Sequence, residues 1–179
     1  MYAIISEIDE QSGEKVNNIW QKLCEACGLG AIYATPTPHF TWLTAEELDV
    51  EKSKLILSTL AKNSPDISTH TFGIGIFSGV HPVLFLPLVK TIEMINIHQR
   101  IWDRISPHSK DLNMYYSSDF WLPHITLALK DINRENLACA INEISFEKIE
   151  LNVSMTSLAI AEHEDEKIGT ILERFPVNN

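Results

Sequence analysis

Cysteine is scarce in this chain of 179 residues. Cys24, Cys27 and Cys139 make an odd total, too few for a disulfide framework, and the expectation is three free thiols in a reducing cytoplasm. Cys24-Glu25-Ala26-Cys27 has C-x-x-C spacing. Zinc needs two further ligands at suitable spacing, and Cys139 is alone and distant. A redox pair opens a helix after a strand, whereas this pair falls in the last turns of a predicted helix, so it reads as core packing. Positive charge is also short: 14 Lys and Arg against 24 Asp and Glu leave a formal net charge of −10. That balance disfavours long nucleic acid as a partner, because sequence-independent binding depends on a basic surface. It leaves room for a small phosphorylated ligand in a local pocket. No apolar run approaches the roughly 18 residues of a membrane span, so no membrane association is expected. Residues 1–9 lack the basic start of a signal peptide. Low-complexity segments and long linkers are missing too, which leaves one domain, or two small lobes sharing a core.

What the chain does contain is a repeated phrase. Pro38-His39-Phe40-Thr41-Trp42 is echoed by Pro123-His124-Ile125-Thr126-Leu127. With 7 His and 11 Thr in the chain, random order supplies about 0.4 His-x-Thr matches. Two, each preceded by Pro and each with apolar residues at the alternate positions, are far from that expectation. In a strand, residues i and i+2 share a face. His39 and Thr41 therefore share one face with Phe40 and Trp42 behind them, and His124 and Thr126 share another with Ile125 and Leu127 behind.

The surrounding pattern repeats as well. A strand over 2–8 is followed by a helix over 12–27, with Val16, Ile19, Trp20, Leu23 and Cys27 at helical spacing and Gly28 and Gly30 as a stop. Thr35-Pro36-Thr37-Pro38 forbids helix and delivers an extended chain to His39. The first His strand is expected to end near Leu43, with Thr44 and Glu47 as a capping box for the next helix. That helix carries Leu48, Leu55, Leu57 and Leu60 and fades by Ser64-Pro65. A strand over 69–77 contains Gly73 and Gly75, and Ser78-Gly79 makes a turn.

The second half runs strand over 82–89, then helix over 91–105 with Ile92, Ile95, Trp102 and Ile105 inward. A polar loop leads to the second His strand over 121–129. Asp131 or Asn133 caps a short helix with Leu137, Ala138 and Ile141 inward. Strands over 146–161 and 168–175 close the chain, with Glu162, Glu164, Asp165 and Glu166 in the turn between them. The fold class is α+β: a bilobal, duplicated strand–helix–strand–helix–strand repeat. The halves, approximately 1–79 and 80–179, form one bilobal domain around a central cleft, with strand exchange between lobes left open.

Two imidazoles make an acid–base pair, because histidine changes charge near neutral pH and one can be neutral while the other is protonated. The neutral ring takes a proton from a nucleophile such as water, and the protonated ring gives one to the leaving oxygen. The threonine hydroxyls can bond non-bridging phosphate oxygens as charge builds. His39 and His124 are the candidate catalytic residues, Thr41 and Thr126 the candidate phosphate-binding residues. No metal ligand set and no cofactor is expected. Tyr115 and Tyr116, in the polar loop before the second motif, are candidates to stack on a base. Phe72 and Phe77 could also face the cleft, though strand parity leaves that open. His70, His81, His98, His108 and His163 lack a Thr two residues on and read as surface or turn residues. For His163, acidic neighbours would stabilise the charged form.

These tandem motifs resemble the 2H phosphoesterase superfamily, which includes 2′-5′ RNA ligase-like proteins and cyclic phosphodiesterases. The likeness rests on His39-Phe40-Thr41-Trp42 and His124-Ile125-Thr126-Leu127, their 85-residue separation and the duplicated element order. It implies two antiparallel sheets flanking a cleft with helices outside. It also implies metal-independent hydrolysis of a 2′,3′-cyclic phosphate at an RNA end or nucleotide, or of ADP-ribose 1″,2″-cyclic phosphate. Relatives that act on RNA often carry basic residues just after each motif. Here Leu43 and Thr44 follow the first, and Ala128 and Leu129 precede Lys130 after the second, which argues against a long RNA substrate. The expected partner is a small nucleotide or short RNA end, and the expected state a monomer. Two alternatives stay open: a non-catalytic binding module for a nucleotide or RNA end, and 2′-5′ RNA end ligation.

Overall fold

A computed structural model describes residues 1–163 and 169–177. The chain opens with β1 (Tyr2–Ile8) and α1 (Glu10–Cys27), then β2 (His39–Leu48) and α2 (Val50–Lys62). Three short strands follow: β3 (Ser68–His70), β4 (Gly75–Phe77) and β5 (Val83–Pro87). After α3 (Ile92–Ile105) come β6 (Ser109–Leu112), β7 (His124–Ala128), α4 (Arg134–Ile144), β8 (Asn152–Glu162) and β9 (Thr170–Pro176). The strands pair antiparallel in the order β3-β8-β1-β2-β7-β5-β4, with β6 also on β2 and β9 on β8. The expected α+β class stands. The two sets of strands meet where β2 pairs with β7, at Phe40 and Ile125, so the two His strands are neighbours.

Alternation along β1 divides the interior. Ile4 and Ile8 enter the main core with Val16, Ile19, Trp20 and Leu23 of α1 and Met94, Ile97 and Ile101 of α3. Ala3 and Ile5 point the other way, into a small cluster with Ala159 and Ala161. The helices thus pack on one face of the sheet and leave the other to the Ala3–Ile5 cluster and the residues around it.

Several local expectations are corrected by the pairing. Thr44 does not cap a helix: Ala45 pairs with Tyr2 on one side and Leu112 on the other, so β2 continues to Leu48. Asp49 caps α2 instead, its carboxylate accepting from the Lys52 N–H. The sheet on both sides outweighs the capping-box signal. The polar loop before the second motif contains β6, which the sequence did not mark because three of its four residues are polar.

In α3 the inward face is Met94, Ile97, His98, Ile101 and Ile105, while Ile92 and Ile95 are exposed. The 69–77 strand is split at Gly73, whose φ of +67° suits glycine. Asn133, not Asp131, caps α4, and Ala140 and Ile144 are its buried residues; Ala138 is exposed. The turn residues Glu164, Asp165 and Glu166, and Ile168 at the expected start of the last strand, lie outside the described residues.

Two of the three cysteines are paired. Cys27 near the end of α1 is disulfide-bonded to Cys139 of α4, with Cα atoms 5.7 Å apart, and Cys24 is the free thiol. The expectation of three thiols fails because α1 and α4 pack side by side, which spacing along the chain cannot reveal. No helix among the described residues is long and apolar enough to cross a membrane.

Candidate active site

The register of β2 on β7 sets the site. In this antiparallel pair Phe40 lies opposite Ile125. His39 therefore stands across from Thr126, and Thr41 across from His124. All four share the face opposite Phe40 and Ile125. Each histidine thus occupies the position opposite the threonine of the other motif. The apolar partners Phe40, Trp42, Ile125 and Leu127 are all buried behind them.

Both rings are held alike. His39 Nδ1 bonds the Thr37 carbonyl at 2.9 Å, and His124 Nδ1 bonds the Leu122 carbonyl at 2.8 Å. A carbonyl only accepts, so Nδ1 carries the hydrogen in both rings. Nε2 is then left with its lone pair whenever the ring is neutral. The backbone of each threonine is tied down by an indole. Trp121 Nε1–H donates to Thr41 O at 2.9 Å, and Trp20 Nε1–H donates to Thr126 O at 2.9 Å. Trp42 anchors β2 from behind by donating to the buried Ser6 hydroxyl at 2.7 Å.

A cleft of about 580 Å³ opens on this face, lined by His39, Thr41, Thr126 and Tyr116 among others. That volume is within the usual range for small-molecule sites. His124 is not one of the lining side chains. Its ring packs against Phe77 and Phe85, with both centroids at 5.0 Å, and its charge bears on His39.

The pairing of β1 and β2 explains the other wall. Their register shifts where Ile4 pairs with Leu43 and Ile5 with Thr41, leaving Trp42 as the extra residue of a bulge. Parity inverts there. Trp42 and Leu43 are both buried, and Thr44 and Glu46 join His39 and Thr41 on the cleft. The two tyrosines also separate. Tyr116 lines the cleft, whereas Tyr115 is 79% exposed and does not.

Burial dominates the electrostatics. It pushes His39 down from the ordinary histidine value to about 4, opposed by the Thr37 carbonyl and aided by the charges of His163 and His124. Glu7, opposite His39 on β1, pulls the other way. Its carboxylate also accepts from Ser157 Oγ at 2.8 Å and from Arg174 Nε at 3.0 Å. Burial likewise lowers His124, opposed by the Leu122 carbonyl. The Tyr116 phenol is raised by burial and opposed by a hydrogen bond with Thr41. Both motif histidines are therefore neutral at pH 7 in the open cleft. Among the described residues, no three His, Cys, Asp or Glu are grouped to hold a metal ion.

Two of the histidines expected to be surface or turn residues belong to the site. His98 is buried, its ring stacked on Trp121 with centroids 4.1 Å apart, and its Nε2 bonds the Tyr116 carbonyl at 2.9 Å. It backs Trp121 and Tyr116, which both hydrogen-bond Thr41. His163 lines the cleft. Burial and then the Lys130 charge lower its pKa, the reverse of the shift expected from its acidic sequence neighbours.

The model of the 2′-5′ RNA ligase superfamily matches residues 9–167 of this sequence. The chain belongs to that superfamily. Its fold is that of the LigT-like 2H phosphoesterases. The crystal structure of TT0787 of Thermus thermophilus aligns with a TM-score of 0.59 at 15% identity, covering 99% of this chain and 98% of that one. The structure of E. coli LigT complexed with 3′-AMP gives 0.58 at 14%, covering 99% and 98%. That of E. coli LigT complexed with ATP gives 0.56 at 16%, covering 100% of both. No curated protein matches the sequence.

The superfamily motifs were readable as letters. Glu7, Lys130 and His163 were not, because each reaches the site through a strand neighbour or a turn, and neither was His98, which comes from the buried face of α3. The one available signal was parity: from the β1–β8 pairing, His163 falls on the same face as Ala161 and Ala3.

Proposed function

We propose that this protein is a metal-independent phosphodiesterase that hydrolyses a cyclic phosphate on a small nucleotide or short RNA end. The observation that carries the reading is the crossed register, which sets His39 beside Thr126 and His124 beside Thr41 on one face. Superfamily membership and the nucleotide complexes of LigT support the same substrate class.

In the reaction, one neutral imidazole takes a proton from water through Nε2 as the water oxygen bonds phosphorus. The bond from phosphorus to one ribose oxygen breaks, and that oxygen takes the proton held by the other imidazolium. The product is a phosphomonoester, and the pair of rings again holds one proton. Thr41 and Thr126 donate hydrogen bonds to the non-bridging oxygens, where charge builds. The pair needs one proton between two rings that are both neutral at pH 7 when the cleft is open. The bound phosphate supplies the remedy, since an adjacent anion favours imidazolium. Which ring starts as base follows from how the substrate lies.

The test is hydrolysis of 2′,3′-cyclic AMP and ADP-ribose 1″,2″-cyclic phosphate, with products identified by phosphorus NMR. His39→Ala and His124→Ala should each lower turnover by roughly 10²–10⁴-fold with the fold retained by circular dichroism. A chelator should leave the rate unchanged. Wild-type turnover in either mutant overturns the mechanism, and binding without hydrolysis makes the protein a binding module.

A further inference from the structure

We infer that Lys130 and His163 form a second anion subsite in the same cleft, taking a further phosphate of the substrate besides the one that reacts. This rests on the reading of the cleft as a nucleotide site, and names the kind of nucleotide it takes: one bearing two phosphoryl groups on the same molecule.

The first observation is backbone strain. Lys130 has φ +68°, one of two positive-φ non-glycine residues among those described. The Asp131 N–H bonds Leu129 O at 2.9 Å, closing a three-residue turn around it. A γ-turn with positive φ is rare and costs energy for any residue with a side chain. It persists here because Asp131 is held from two sides. Its Oδ2 accepts from the Ala31 N–H at 2.7 Å, and its carbonyl accepts from Asn136 Nδ2 at 2.9 Å. Glycine would suit this position better, yet the chain keeps a lysine there.

The second observation is where that lysine goes. Directly after the second His strand, it lines the cleft with His39, Thr41 and Thr126. His163 lines it too, arriving from β8 with its N–H bonded to Met1 O at 2.9 Å. Its ring rests on Gly169, where an added Cβ would come within 2.5 Å of the imidazole. Lys130 and His163 are close enough that the lysine charge disfavours imidazolium. In a chain of net charge −10, Lys130 brings a positive charge into the cleft with an imidazole near it. Neither has a carboxylate within ion-pair distance among the described residues. Glu46, also on the cleft, pairs with the amino group of Met1 at 3.8 Å. An ammonium and an imidazole N–H are suitable donors for a phosphate oxygen.

The test reads binding without turnover. Calorimetry compares adenosine 2′,5′- and 3′,5′-bisphosphate with the corresponding 2′- and 3′-monophosphates. Wild type should prefer at least one bisphosphate over its monophosphate by about tenfold or more, the usual worth of a charge-assisted hydrogen bond. Lys130→Met should bring the two affinities together, His163→Gln should narrow the gap, and Lys130→Arg should keep it. Lys130→Gly guards against misfolding: it relieves the turn, so its melting temperature should equal or exceed that of wild type while the preference is lost. No preference in wild type, no bisphosphate binding, or a preference that survives in Lys130→Met and Lys130→Gly overturns the subsite. If the bisphosphate preference behaves as expected yet the cyclic phosphates are left intact, the phosphodiesterase reading fails and the subsite stands.

Discussion

Raising the pH from 6.5 to 8.5 should lower kcat/KM by about a hundredfold. In the proposed mechanism the free enzyme is competent only with one proton on the His39–His124 pair. His39 is held at about 4 by burial, and His124 is held below its ordinary value by the same cause. Above the higher of two such values, the singly protonated fraction falls about tenfold per pH unit. Two units above 6.5 therefore give the factor. For kcat the falling limb should lie at higher pH, because bound phosphate favours imidazolium. Initial rates on 2′,3′-cyclic AMP from pH 5 to 8.5, at low and saturating substrate, measure both limbs.

The same shift has a stability consequence of fixed sign. The unfolded chain protonates His39 near 6.5, the folded one only near 4. The contribution is fully present above 6.5 and is lost as pH falls, by at most about 3 kcal/mol at pH 4. Urea midpoints of wild type should therefore drop more steeply between pH 7 and 4.5 than those of His39→Gln. A kcat/KM that stays level through pH 8.5 refutes the acid–base assignment.

Other outcomes follow from single contacts. Trp121→Phe removes the donor to Thr41 O and leaves a cavity, so denaturant unfolding should show a loss of about 2–4 kcal/mol, with KM rising as Thr41 loosens. Gly75→Ala places a Cβ 2.3 Å from the Phe85 ring, which packs on His124; turnover should fall although neither residue lines the cleft. Cys27→Ser opens a link across 112 residues and should cost about 2–5 kcal/mol in the absence of reductant, with wild type losing the same amount in dithiothreitol.

The ends of the elements show how far local signals reach. α1 was readable because its apolar spacing and Gly28 agree, and the helix stops at Gly28 with φ +71°. α2 was misplaced because Thr44 and Glu47 spell a capping box, while strands on both sides of β2 claim those residues. The phase of α3 was missed because isoleucines at positions 92 and 95 are exposed, whereas a histidine at 98 faces the core. Burial is a property of neighbours, and α3 meets its neighbours through the sheet.

The two His-x-Thr strands, their apolar backing, the duplicated α+β order and the family are written in the order of the residues alone. Each of these is local, resting on period-2 alternation, on proline and glycine, and on a repeated phrase. Tertiary structure alone decided the crossed pairing of each histidine with the other motif's threonine, since that depends on the register of two strands 85 residues apart in sequence. It decided the bulge at Trp42 that turns Thr44 and Glu46 into the cleft, the indole donors behind both threonines, the Cys27–Cys139 bond and the arrival of Lys130 and His163 at the same wall. These are contacts between distant segments, and they exist only once burial of the common core has chosen one register and one packing.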